Sequence, residues 1–322
     1  MKRYTLSVLL LSLHLSLFPC LSRSALPAFG MLRPGSIPSS VDIDEYGGAN
    51  RFLGSGDNPE SLVYRNPDFF SMEPNDGLIL LKNFETYQQT SEWSCGPASA
   101  LMVLRHFGIP GYTEWDIALA MRSHTDTSIS GAKPGSAKKP ADFGTSVGRM
   151  DAFFRSVPGI EVLESSYRAS WSVEDVISED DEGRPVVERG NLPGRFSQMS
   201  LYTAENRDDA SEPVDARGSY FVRWLLGHLE EGRPVLVEWA DWGGHWQAII
   251  GYHDNGTPGI GDDILIFADP YDTSDHLQDG YYAYPLERWF FMWHDFRIAP
   301  KPFQIQPYIV VDRLRQSTKD RE

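Results

Sequence analysis

Cysteine is scarce in this chain. The 322 residues contain two, Cys20 and Cys95. That excludes a disulfide framework and any zinc site built on paired cysteines. No HExxH helix and no EF-hand spacing occur, which removes two further metal chemistries. Basic residues are also in short supply. Lys and Arg number 29 against 45 Asp and Glu, for a formal charge of −16. So acidic a balance argues against nucleic acid or anionic lipid as a partner. There is no internal repeat, and outside the N-terminal segment no apolar run approaches the ~20 residues of a membrane span. The hydrophobic fraction of 41% still supports a packed core.

The first 24 residues read as a signal peptide. Lys2 and Arg3 form a basic start, Tyr4–Phe18 an apolar stretch, and Ser22-Arg23-Ser24 a cleavage region. Phe18-Pro19 before Cys20 does not match the small residues of a lipoprotein site. The expected mature protein is exported, periplasmic or extracellular, with no stable membrane span. Cys95 is then its only thiol. An unpaired thiol in an oxidising compartment is either buried filler or put to use.

Residues 25–75, rich in Pro, Gly, Ser and Asn, read as an extended arm. A single domain is expected over 76–312, carrying a polar acidic insertion at about 165–217, and a polar tail over 313–322. Within the domain a short strand is predicted at Gly77–Leu81. Helices are predicted over 95–107, 114–122, a segment capped by Thr145 or Ser146, and 219–231. Strands follow at Val235–Ala240, Trp246–Tyr252, Ile264–Ala268 and Tyr308–Val311. Helices first and antiparallel strands later make an α+β fold.

The chemistry concentrates in QQTSEWSCGPASALMVL, residues 88–104. Cys95 stands at the start of a predicted helix, where the macrodipole and free N–H groups favour a thiolate. Pro97 suits the first turn, and Gly96 is expected to let a substrate approach the backbone. Gln89, six residues upstream, is the candidate second donor of an oxyanion hole, with Gln88 beside it. Of the eight histidines, His245 stands apart. It follows Asp241-Trp242-Gly243-Gly244, whose glycines suggest a tight turn and open space, and it opens a strand. His106 and His228 are expected on partly exposed helix faces. Asp269 ends the strand ILIFA. If that strand and Trp246–Tyr252 form a hairpin, Asp269 falls beside His245 and can orient the imidazole. Asp241 and Asp272 are weaker candidates for that role.

These pieces together, Gln89…Cys95-Gly96-Pro97-Ala98, Gly243-Gly244-His245-Trp246 and Ala268-Asp269-Pro270, resemble the bacteriocin-processing, double-glycine-leader cysteine peptidases and their stand-alone relatives. Gly144-Thr145-Ser146 adds to the likeness. The resemblance implies a papain-like fold, with the nucleophile on a helix packed against a sheet that carries the His and Asp. It also implies Gln89 as oxyanion donor, Cys95 as nucleophile, His245 as general base and Asp269 as orienter. The implied partner is a peptide or protein substrate, and no cofactor is expected.

Two other acyl-transfer outcomes fit the same residues: a transpeptidase and an amidase. A non-catalytic peptide-binding module is the rival from another class. A calcium site on Asp254, Asp262, Asp263, Asp272 and Asp275 is weaker, because the spacing matches no calcium loop. The tryptophan-rich segment 281–303 reads as core or a packing flap.

Overall fold

A computed structural model describes Ile37 and residues 67–139, 142–172, 178–179, 185–186, 196–272 and 279–314. The expected signal segment, most of the expected arm, the centre of the acidic stretch and residues 315–322 lie outside the described residues.

The N-terminal half supplies three helices, α1 (Cys95–His106), α2 (Glu114–Met121) and α3 (Val147–Ser156). Ten successive residues of α1, Cys95 to Leu104, are buried. A helix apolar all round belongs inside a molecule rather than on its surface. Gly108, at φ +66, turns the chain out of it. A capping box at Thr113 and Asp116 starts α2. Ser146 accepts the Arg149 N–H and starts α3.

Seven strands make one sheet: β1 (Leu78–Leu80), β2 (Ile160–Ser165), β5 (Val235–Trp239), β6 (His245–His253), β7 (Ile264–Ala268), β8 (Tyr281–Pro285) and β9 (Tyr308–Arg313). The order is β2-β9-β5-β6-β7-β8, all antiparallel, and β1 joins β6 beyond the end of β5. The pairs β3 (Ser178–Glu179) and β4 (Pro185–Val186) form a separate small hairpin. Eight of the nine residues of β6 are buried, as expected of a central strand covered on both faces. Helix α1 packs on β6, and Ser99 Oγ donates to the Trp246 carbonyl at 2.9 Å. The helix that carries Cys95 and the sheet that carries His245 are thus pressed together, the arrangement of a papain-like α+β fold.

The remaining helices, α4 (Tyr220–Glu230) and α5 (Leu286–Met292), close the core with aromatic rings. Phe221 of α4 and Phe267 of β7 each lie 6.0 Å from Trp289 of α5. The tryptophans of segment 281–303 are therefore core, with Trp289 and Trp293 almost fully buried. Part of the 165–217 stretch enters the core as well. Phe196 packs 4.7 Å from Trp224, and Leu201 is buried. His228 is buried, not half-exposed, because its ring lies edge-on to Trp224 at 5.0 Å.

Candidate active site

The register of two strands decides the site. Ala248 of β6 faces Ala268 of β7. The residue that follows β7, Asp269, is thereby brought to the residue that opens β6, His245. Asp269 Oδ1 lies 2.7 Å from His245 Nε2, with 2% and 3% of the two residues exposed. A carboxylate only accepts, so Nε2 carries the hydrogen and donates it. The Asp269 side chain is itself fixed by the Tyr271 N–H at 2.8 Å. The Tyr271 ring covers the imidazole edge-on at 6.0 Å.

Nδ1 is thus left for the opposite side of the ring, where Cys95 begins α1. Cys95 is close enough to His245 to favour its charged form. Burial works against a charged imidazole, but the Asp269 charge, the Asp269 hydrogen bond and Cys95 outweigh it. The His245 pKa stands well above the ordinary value. The first turn of α1 holds no acidic residue, so nothing cancels the positive end of the helix beside the thiol. Cys95 itself is buried at 7% exposure, at the bottom of a cleft of about 610 Å³.

Gln89 lies in the segment that leads into Cys95. Its Nε2 donates to the Ser91 carbonyl at 2.7 Å, and its Oε1 has no partner. Ser91 and Ser94 form the turn just before the helix, with Ser94 Oγ donating to Ser91 O at 3.1 Å. One of the two amide hydrogens of Gln89 is spent on that turn. The main chain of Gln89 is tied to the other half of the site, its N–H donating to Pro270 O at 2.7 Å.

Glu114, the first residue of α2, fastens the same segment. It is completely buried, and its carboxylate accepts the Thr90 N–H at 3.0 Å, Thr90 Oγ1 at 2.6 Å and Tyr87 OH at 3.1 Å. Burial raises the Glu114 pKa, and the Ser94 hydroxyl and the hydrogen bonds from Thr90 and Tyr87 oppose the rise.

Two readings of glycine change. A Cβ on Gly96 would meet the Thr145 Cβ at 2.7 Å. Gly96 therefore admits Thr145, not substrate. A Cβ on Gly244 would meet Asp295 Oδ2 at 2.7 Å and Ile298 Cδ1 at 3.1 Å. The turn before His245 is tight, with Gly243 and Gly244 at φ +83 and +124, but the space beside it is filled by the 295–298 turn. Asp272 spends its Oδ2 on the Gly280 N–H at 2.9 Å. Asp241 feels both His245 and Asp269 but makes no hydrogen bond to the imidazole.

The acidic cluster around the β6–β7 hairpin is consumed in turns. Asp263 accepts the Tyr252 hydroxyl at 2.6 Å, Asp254 pairs with Arg217 at 2.8 Å, and Asp262 accepts Thr257 Oγ1 at 2.7 Å. Asp275 lies outside the described residues. Among the described residues no group of three or more His, Cys, Asp or Glu is placed to hold a metal ion. Nor is any described helix long and apolar enough to cross a membrane.

Several cleft residues carried no signal in the sequence. Trp242, 62% exposed, lies 5.0 Å from Tyr271 and forms an aromatic lip. His124 stacks on Trp93 at 5.5 Å, and burial lowers its pKa to about 4, so it is a neutral wall. Glu238 of β5 lines the floor at 2% exposure. Burial, then the charge and hydrogen bond of Asp295, then Cys95, hold its carboxyl well above the usual range. Periodicity alone makes Glu238 an outward-facing residue of a half-buried strand; only the cover laid over β5 puts it inside.

A papain-like fold with a buried cysteine at a helix start is compatible with a thiol peptidase. The profile of the Peptidase_C39 like family, the bacteriocin-processing peptidase-like family, matches residues 81–294. The match takes in more than half of the chain, and the chain belongs to that family. No curated protein and no solved structure matches it significantly.

Proposed function

We propose that this protein hydrolyses peptide bonds through an acyl-enzyme on Cys95. The 2.7 Å bond between His245 Nε2 and Asp269 Oδ1 carries the reading, because it leaves Nδ1 as the one nitrogen free to serve the thiol. His245 takes the proton of the Cys95 thiol. The sulfur attacks the substrate carbonyl carbon, a C–S bond forms, and the carbonyl electron pair moves to oxygen. That oxyanion is met by the Cys95 N–H and by the second amide hydrogen of Gln89. Each such donor is worth about 3 kcal/mol of barrier. The C–N bond then breaks, and the His245 proton goes to the leaving amine. Water enters, gives a proton back to His245 and attacks the thioester carbonyl. The C–S bond breaks, and a carboxylic acid leaves.

The pH dependence of iodoacetamide alkylation tests the ion pair, since Cys95 is the sole thiol of residues 25–322. Wild type should alkylate well below the free-thiol pKa of about 8.5, and His245→Ala should lose that acidic limb. Mass spectrometry after mixing with a peptide library should show cleavage products that vanish in Cys95→Ala. Alkylation only at alkaline pH, with no cleavage, would leave a peptide-binding module that kept the fold. We place this enzyme outside the cytoplasm on the strength of its N-terminal segment. Fractionation of cells expressing the full chain tests that placement.

A further inference from the structure

The charge of the cleft runs against the charge of the protein. The chain as a whole carries −16. The cleft beside Cys95 is lined by Lys138, Lys139 and Arg297, all exposed. Two acids share that lining: Glu92, which is exposed, and Glu238, which is buried. Glu238 keeps its proton, because burial and the neighbouring Asp295 charge disfavour a second anion there, so it does not offset the cations.

The cations come from two segments of the chain. Arg297 stands in the turn whose N–H groups at 297, 298 and 299 all donate to the Asp295 carboxylate, at 2.8, 2.9 and 2.8 Å. That turn packs onto the loop before His245. A Cβ on Gly243 would meet Arg297 Nη1 at 2.8 Å, so the guanidinium lies directly against the histidine loop. Lys138 and Lys139 come from a separate loop. Their loop is pinned where the Gly135 and Ala137 N–H groups donate to His124 O, at 2.9 and 3.1 Å. Asp126 feels the charge of both lysines. Among the described residues, however, no carboxylate lies within ion-pair distance of Lys138, Lys139 or Arg297. Three cations without an ion-pair partner among the described residues, gathered at one cleft of a protein with an excess of acids, form a local positive field that attracts anions.

We propose that the substrate carries a carboxylate near the scissile bond, on an acidic side chain or a chain terminus, held by Arg297 of the 295–298 turn together with Lys138 and Lys139 of the neighbouring loop. This rests on Cys95 being the reacting group, and the test separates the two. The rates of Cys95 alkylation by iodoacetate, an anion, and iodoacetamide, its neutral counterpart, are compared at low salt. The iodoacetamide rate against pH reports the Cys95–His245 pair alone. The ratio of the two rates reports the field of the cleft. We expect a ratio above that of free cysteine, falling with added salt. It should fall about twofold for each cation removed at roughly 10 Å in water, in Lys138→Gln/Lys139→Gln and again on adding Arg297→Gln. In a library of internally quenched peptides, Glu should be preferred over Gln at one or more positions, and the triple variant should erase that preference. A ratio that is the same in wild type and in both variants, or equal cleavage of Glu and Gln peptides, overturns the proposal while leaving the acyl-enzyme reading intact. Absence of the acidic alkylation limb would remove the acyl-enzyme reading first.

Discussion

His245 Nε2 and Asp269 Oδ1 lie 2.7 Å apart inside a nearly water-free pocket. The bond fixes which imidazole nitrogen faces Cys95. Asp269→Asn keeps the shape but removes the charge and permits the wrong tautomer. We expect turnover to fall roughly 10²–10⁴-fold, the range that general acid–base catalysis contributes, and Asp269→Ala to fall as far. Equal turnover in wild type and Asp269→Asn would exclude Asp269 as the orienting group.

The same bond has a consequence for stability. The folded His245 pKa is raised, so its contribution is complete below the unfolded value of about 6.5 and is lost as pH rises through the folded value. His245→Gln should therefore lower Tm most near pH 6, with the gap to wild type narrowing at alkaline pH. Thermal melts across that range check the direction.

Glu238 has the same sign. Its carboxyl is held well above the usual range by burial and by Asp295, and Oε2 has no hydrogen-bond partner. As pH rises past the unfolded value of about 4.3, the unfolded chain releases this proton and the folded one does not, so stability drains away. Glu238→Gln removes the titration. The variant should match wild type near pH 4 and melt at a higher temperature near pH 8. A variant that melts lower at both pH values would refute this.

Gly96 sets the distance between the nucleophile helix and Thr145. An alanine there gains about 0.5–1 kcal/mol of helix propensity, but its Cβ must pass within 2.7 Å of the Thr145 Cβ, which sits on main chain and cannot rotate away. Overpacking of this kind costs about 1–3 kcal/mol, so the clash wins. Gly96→Ala should be destabilised and poorly active, and Thr145→Gly in the same chain should restore much of the loss. The double-mutant cycle measures the coupling.

Glu114 should matter to turnover more than to thiol reactivity. It accepts hydrogen bonds from Thr90 and Tyr87 around Gln89, and Glu114→Gln turns an amide donor toward those donors. A buried donor or acceptor left unmatched costs about 1–3 kcal/mol. With Gln89 displaced, amide cleavage should fall by at least tenfold. Iodoacetamide alkylation, which forms no oxyanion, should keep its rate. Parallel loss of both would assign Glu114 to general packing instead.

What was legible in the sequence was local. Helix α1 was visible from its apolar spacing, Pro97 and Gly108, and α3 from Ser146 and the Met150–Phe154 face. The strands around His245 and before Asp269 showed as short apolar runs, and their hairpin followed from adjacency. Strand β2 and strand β8 were missed. The alternation IEVLES carries two glutamates, and YYAYP ends in proline, so neither reads as a sheet member until β9 and β7 pair with them.

The sequence by itself determined where the candidate cysteine and histidine stand, because a lone cysteine at a helix start and a histidine at a strand start are features of neighbouring residues. Tertiary structure decided what fills the space around them. Thr145 against Gly96, Asp295 against Gly244, and Glu114 among the residues beside Gln89 are contacts between residues about 24 to 51 apart in the chain. The sign of the cleft was decided there too. Lys138, Lys139 and Arg297 are ordinary surface cations in the linear chain, and only folding gathers them at the cleft beside Cys95, while burial keeps Glu238 from cancelling their charge. Side-chain volume and desolvation are properties of the packed interior, and no one-dimensional pattern encodes them.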